Sequence, residues 1–309
     1  MELKHLAHQE IDKRKWDHLV RQIPGGNLYG QSWYLDAVCP GWEAIVDGDY
    51  RAAMPLTVRK KFGFRYLFQP LLSQQLGVFG QSQLRPEGVD EFLSSIPAAI
   101  RLVEITLNGY NAPGKKFPVD RHTTYRLKLH PPYTSLQDKY SENTRRNLRK
   151  ASQDTVRFRT NVTPAEFFEL LSKDKSIGAK VLNQPENRQT LGRLIPSLLN
   201  RKAGMICGIR DRYGKLSAAA LMGQDRGLHY YLAPVMNEEG RESRAMFLLI
   251  DRYIHLHSEM PASLDFEGSD IPSVARFYQG FGAQPSEYTS LRINKLPWPL
   301  KQWADRRIR

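Results

Sequence analysis

The residues best placed to do chemistry lie near the C-terminus, in the stretch LDFEGSDIPSVARFYQGFGAQ at 264–284. Leu264 and Phe266 alternate with Asp265 and Glu267, a period of two that predicts a strand with one apolar and one acidic face. Gly268, Ser269 and Asp270 supply turn and N-cap chemistry, and Pro272 suits a first helical turn. Ala275, Phe277 and Tyr278 then predict a short helix broken at Gly280 and Gly282. Two carboxylates on one strand face can anchor an ammonium group or accept its proton, and a phenol on the next helix can donate one. The same residues also read as a helix cap, a salt bridge to arginine and a core aromatic beside Phe277. His229, Tyr230 and Tyr231, on a strand region before this one, are placed either to reach the same cleft or to fill the core.

A second candidate is the basic segment 140–151. If it is helical, Arg145 and Arg149 share one stripe and Arg146 and Lys150 the next, while Leu148 and Ala151 point elsewhere. Such a face binds the phosphates of a nucleotide-linked substrate or of RNA, or is simply solvated. Other signatures are missing: there is no Walker loop, dinucleotide fingerprint, His-Glu-x-x-His or serine elbow, and the eight histidines have no metal spacing. No metal is expected.

The elements that position these residues must come from a soluble globular chain of 309 residues, 41% apolar and 25% charged, long enough for two domains. Its net charge of +13 favours an anionic partner: a phosphorylated cofactor, a nucleic acid or an acidic membrane surface contacted peripherally. No apolar run approaches the ~18 residues of a span, and the N-terminus lacks an apolar signal core, so a cytoplasmic protein is expected. Cys39 and Cys207 lack metal-ligand spacing and fit a reducing compartment.

Along the chain, Trp16, Leu19, Val20 and Ile23 predict a helix stopped at Pro24-Gly25-Gly26. Strands follow at 43–46, 50–58, 64–69, 75–79 and 100–107, then a loop over 108–122 and a strand on Tyr125, Leu127 and Leu129. In the second half a capping box at Thr163 and Glu166 opens a helix, and Leu191 to Leu199 mark another that Pro196 should kink or end. Three strands near 205–209, 216–222 and 228–232, a long helix near 243–257, and a last strand at 288–293 complete the order. The halves repeat one order of elements, which predicts an α/β fold of mixed sheets with flanking helices in two domains, 1–134 and 135–309. The tail 294–309, with Trp298 and Trp303, is expected to fold back onto the first domain.

YQGFGA at 278–283, preceded by Ala275, is similar to the C-terminal pattern of GNAT acyltransferases. With SENTRRNLRKA at 141–151 and DFEGS before RFYQGFG, the tandem order resembles the Fem-like aminoacyltransferases of peptidoglycan cross-bridges and their bacterial relatives. The resemblance implies two GNAT-like domains. It gives Tyr278 the role of general acid toward a departing coenzyme A thiolate, and backbone N–H groups near 230–235 that of oxyanion donors. Fem aminoacyltransferases are expected to carry a phosphate-meeting lysine where this chain has Tyr278, which favours a thioester donor, acyl-coenzyme A. The GNAT pyrophosphate loop aligns with GRESRA, 240–245: Gly240, Arg241, Ser243, Arg244 and Ala245. Only Ala245 fits the pattern, although Arg241 and Arg244 can neutralise phosphate.

The resulting expectation is acyl transfer to an amine of a small or cell-envelope-precursor substrate. Asp265 and Glu267 handle the amine's proton, and Arg145, Arg146, Arg149, Lys150, His229 and Tyr231 serve as substrate contacts. The alternatives are an aminoacyltransferase that uses charged tRNA on a peptidoglycan precursor, and a non-catalytic ligand-binding protein that retains the cleft.

Overall fold

Among the described residues each of two units of the chain has a hydrophobic core of its own. The computed structural model describes residues 1–22, 27–61, 63–80, 83–152, 156–268, 271–298 and 301–302. Pro24, Gly25, Gly26, Ser269, Asp270 and Trp303 lie outside the described residues. Contacts group residues 1–122 with the chain from Glu287 onward as one unit, and Thr123–Ser286 as the other.

In the first unit the order is β1 (Leu3–Leu6), α1 (Lys13–Arg21), α2 (Ser32–Val38), β2 (Glu43–Asp47), β3 (Ala52–Leu56), β4 (Val58–Lys61), β5 (Phe64–Leu67), β6 (Phe79–Gly80), α3 (Pro86–Ser94), β7 (Ile100–Leu107) and the start of β8 (Val119–Lys128). One sheet runs β1-β2-β3-β6. In β7 the alternation buries Val103, Ile105 and Leu107 against Phe92, Leu67 and Met54.

Residues 75–79 form the expected strand only in part: Leu76 makes an isolated parallel bridge to Leu107, and Phe79 opens β6. Between them Gly77 turns the backbone at φ +83, and the Asn108 and Asn111 side chains add to the backbone bonds that Leu76 makes with Thr106 and Asn108. Asn108 Nδ2 donates to the carbonyls of Leu76 and Val78 at 2.8 and 3.0 Å, and Asn111 Oδ1 accepts from the Val78 amide at 2.7 Å. Side-chain amides therefore hold the segment that strand periodicity suggested.

The second unit continues with α4 (Tyr133–Gln137), α5 (Glu142–Ala151), β9 (Arg157–Arg159), α6 (Pro164–Lys173), α7 (Ile177–Leu182), α8 (Pro185–Asn200), β10 (Gly204–Arg210), β11 (Leu216–Asp225), β12 (Leu228–Met236), α9 (Glu238–Glu242), α10 (Ala245–His257), β13 (Ser263–Asp265) and α11 (Pro272–Gln279). The last strand, β14 (Gln284–Asn294), pairs antiparallel with β7 from Thr289 to Asn294, and so returns the chain to the first unit. The division falls between His122 and Thr123, where the sequence had suggested 134/135, because the C-terminal part of β8 pairs with β13. Lys295 donates to the Arg101 carbonyl, but Trp298 is 75% exposed, contrary to the expectation that it would be covered.

Within the second unit the strands follow β8-β13-β12-β11-β10-β9, antiparallel except for the parallel β12–β13 pair. That mixture, with α10 packed on β10 and β11, makes the fold a mixed α/β architecture. The Thr163–Glu166 capping box forms at the start of α6 as the sequence predicts. Pro196 does not end α8, which continues to Asn200 because Leu194, Ile195 and Leu198 bury one face on either side of it. The short helices α4, α7 and α9 have too few turns to give a periodic signal and were not foreseen.

One close approach fixes α9 beside the sheet. A Cβ on Gly240 would lie 2.2 Å from the Ser217 carbonyl oxygen and 2.9 Å from its carbon, both rigid backbone atoms. Gly240→Ala is therefore expected to cost about 1–3 kcal/mol through overpacking. A urea-unfolding midpoint equal to that of the wild type would contradict this close fit.

Candidate functional site

Asp265 closes strand β13 and is almost fully buried. Its Oδ2 accepts from Arg126 Nε at 2.7 Å, its cross-strand partner on β8. Its Oδ1 accepts from the Thr124 hydroxyl and from the Glu267 backbone N–H, the latter at 2.9 Å. The carboxylate is thus fully engaged within the protein, and its work is to hold the turn that follows. Glu267 sits in that turn at φ +62, outside the strand. The expected acidic face does not form: Leu264, Asp265 and Phe266 are all buried, and the backbone reverses before Glu267.

Tyr278 lies on α11, stacked on Phe266 with centroids 4.9 Å apart and edge-on to Tyr231 at 6.3 Å. Tyr231 and Tyr278 are 3% and 7% exposed, and neither hydroxyl is hydrogen-bonded to another of the described residues; both side chains line a cleft. Burial pushes both phenols upward in pKa. For Tyr278 the nearby Glu267 and then Asp265 charges add to this, and for Tyr231 the neighbouring Tyr278 does. Both are therefore neutral O–H donors at ordinary pH.

The two tyrosines line a cleft of about 370 Å³ between the end of β12, the start of α10 and the face of α11. Its other walls are mostly apolar and include Pro234, Met236, Phe247 and Phe277, with Gly240, Arg241 and Arg244 also present. The cleft exists because β12 and β13 pair only as far as Tyr230 with Asp265. Beyond that point no strand among the described residues pairs with β12 on its β13 side. A register shift against β11 at Leu221/Met222 and Pro234, which has no N–H to offer a ladder, mark the same departure. Pro234 within a strand was the sequence signal for this opening.

GRESRA does not act as one loop. Arg241 Nη2 donates to Asp174 Oδ1 at 2.6 Å, while Asp174 Oδ2 accepts from the Met236 amide at 2.9 Å. That buried aspartate, which sequence reasoning missed, ties the arginine to the end of β12. Arg244 takes the left-handed conformation at φ 62 as the N-cap of α10, and its side chain is exposed. Ser243 turns away, its hydroxyl donating to the Glu239 carbonyl at 2.8 Å. It lines a separate depression with Lys150, Glu239 and Glu242. Ala245 is buried at the first position of α10.

His229 does not reach the cleft. Its Nδ1 lies 2.8 Å from the Tyr253 hydroxyl and its ring 4.8 Å from that of His257, in the core against α10. The basic residues of α5 are exposed on its outer face. Arg145 donates to the Asp138 carbonyl at 2.7 Å and Arg146 to Asn143 Oδ1 at 2.9 Å. Lys150 borders a depression that is not the tyrosine cleft. Among the described residues no helix is long and apolar enough to cross a membrane, and no group of His, Cys, Asp or Glu could hold a metal.

Residues 138–268 match a family model described as Acetyltransferase (GNAT) domain. The matched residues all lie in the second unit, which is a GNAT-fold acyltransferase domain. In layout the whole chain is similar to tandem and Fem-like proteins of known structure. The crystal structure of FemX superposes with a TM-score of 0.64 at 13% identity, covering 98% of this chain and 99% of that one. A tandem GNAT protein from the clavulanic acid biosynthesis pathway gives 0.54 at 14% identity, covering 96% and 99%. L-PGS from Bacillus licheniformis gives 0.53 at 11% identity, covering 94% of each. These identities establish shared fold. No curated protein matches the sequence.

The buried His229 carries a pH dependence. Burial, and then His257, lower its pKa from 6.5 to about 4, so between those values the unfolded chain binds the extra proton. Its contribution is fully present above pH 6.5 and is lost as pH falls toward 4, at up to about 1.4 kcal/mol per pH unit. In thermal unfolding at neutral and acidic pH, His229→Gln should narrow the stability gap to wild type as the solution is acidified. A constant gap would take the effect away from this imidazole.

Proposed function

We propose that the second unit transfers an acyl group from a thioester donor of the coenzyme A type to an amine of a small or cell-envelope-precursor substrate. One observation carries this reading: a single cleft has unpartnered phenols at one end and arginines at the other. The phenol end is Tyr231 with Tyr278, and the arginine end is Met236 with Arg241 and Arg244. Tyr231 and Met236 are five strand positions apart, roughly 16 Å along β12. An extended thioester arm fits that span, with its phosphates at the start of α10 and its carbonyl near the tyrosines.

In this reading the amine attacks the thioester carbonyl and a C–N bond forms. The N–H groups of β12 beyond Tyr230 face the developing oxyanion. The C–S bond then breaks, and Tyr278, kept neutral by burial, passes its proton to the sulfur. Glu267 takes the proton released by the amine, while Asp265 holds the turn that carries Glu267. Arg241 enters the cleft already paired with Asp174, so Arg244 brings the less compensated charge to a phosphate.

A calorimetric titration with acetyl-coenzyme A is expected to give saturable binding, weakened about tenfold by Arg244→Glu as a charge-assisted contact becomes a repulsion. Wild-type protein with no saturable heat would eliminate the thioester donor.

A second reading, aminoacyl transfer from charged tRNA to a peptidoglycan precursor, is favoured by a different observation. Arg145, Arg146, Arg149, Lys150, Arg157 and Arg159 on α5 and β9 are exposed, and none forms an ion pair with a carboxylate among the described residues. Other cations of this unit are paired, such as Arg210 with Glu166 and Arg126 with Asp265. If this reading holds, binding of aminoacylated tRNA will exceed that of deacylated tRNA and fall steeply with salt. Either donor assigns the reaction to the cytoplasm.

A further inference from the structure

The two tyrosines of the cleft are not equivalent, and the role proposed for Tyr278 leaves the hydroxyl of Tyr231 without one. Tyr231 belongs to β12 and Tyr278 to α11, so the phenols approach the same end of the cleft from different walls. Their rings meet edge to face, at 87° and 6.3 Å between centroids. Phe266 also meets Tyr231 edge-on, at 6.0 Å. Packing from both sides leaves the Tyr231 ring little freedom. A hydroxyl with no protein partner that opens on a mostly apolar cleft is free to donate to a group that arrives with the ligand. The last β12 residue paired with β13 is Tyr230, so Tyr231 stands at the mouth of the splay where the backbone N–H groups open.

We propose that the Tyr231 hydroxyl is a catalytic hydrogen-bond donor to the acyl carbonyl oxygen of the donor, completing the oxyanion site beside the β12 backbone. The inference rests on the thioester reading above. As the amine nitrogen bonds to the carbonyl carbon, the C=O π pair moves onto oxygen. Tyr231 donates a hydrogen bond to that oxygen and keeps its proton. The pair then returns to re-form C=O, the C–S pair leaves on sulfur, and sulfur takes the Tyr278 proton. The ammonium proton goes to Glu267, and solvent returns a proton to Tyr278, so atoms and charge balance. The division of labour is specific: Tyr231 serves the carbonyl oxygen and Tyr278 serves the sulfur.

The test uses the full-length protein and acetyl-coenzyme A labelled with carbon-13 at the carbonyl. Bound to wild type, the carbonyl resonance should move downfield of the free ligand. Tyr231→Phe keeps the ring contacts and should return the resonance toward its free position. It should also weaken acetyl-coenzyme A about fivefold, the size of one neutral hydrogen bond, and leave coenzyme A, which has no acyl carbonyl, unchanged. Tyr278→Phe should retain the downfield shift. A bound wild-type carbonyl at its free position, or an equal shift in Tyr231→Phe, overturns the assignment while the thioester reading stands. Wild type that binds neither ligand overturns both.

Discussion

The arrangement depends on the buried carboxylate of Asp265. It ties β13 to β8 through Thr124 and Arg126, and with its remaining capacity it accepts the Glu267 backbone N–H. A buried carboxylate is tolerated only when such partners satisfy it, so these contacts act as one unit. Its consequence is geometric. The β13 strand ends at Asp265, opposite Tyr230, while β12 continues to Met236 paired with β11. That run of β12 contributes Tyr231, Pro234 and Met236 to one wall of the cleft.

The cleft joins two kinds of surface that the sequence keeps apart. Its apolar body comes from Met236, Phe247 and Phe277, and its polar groups sit at the ends: phenols on one side, guanidinium groups on the other. Low polarity in the body strengthens the interactions made at the ends. Asp174 serves the arginine end as Asp265 serves the tyrosine end, since each is a buried aspartate that joins a side-chain cation to a backbone N–H. The same chain thus uses one device twice, once to hold a turn and once to fix an arginine against the end of a strand.

The likeness to FemX and to a tandem GNAT protein extends over nearly the whole chain at 13% and 14% identity. Conservation of a fold at such identities is a statement about packing, and function has to be argued from the site. Here the site has features of its own. Gly240 is fixed by its approach to Ser217, Ser243 turns into a separate depression, and Arg244 takes a left-handed backbone at the head of α10.

The sequence by itself determined the elements whose physics is local. The alternation in β7, the capping box of α6, the long helix α10 and the strand–turn–helix around Tyr278 were all legible, because period and cap chemistry act within a few residues. What it could not decide was which polar groups would be spent inside the protein. Asp265 and Glu267 look equivalent in an alternating pattern, yet one is saturated by β8 and the other is carried out of the strand by a positive φ. His229 and Tyr231 are two residues apart on one strand, but the first meets Tyr253 and His257 while the second opens into the cleft. Asp174, 67 residues before Arg241, left no trace at all. These outcomes belong to the tertiary structure because a carboxylate, an imidazole or a phenol is functional or structural according to what lies across from it. Those partners come from strands and helices distant in the chain.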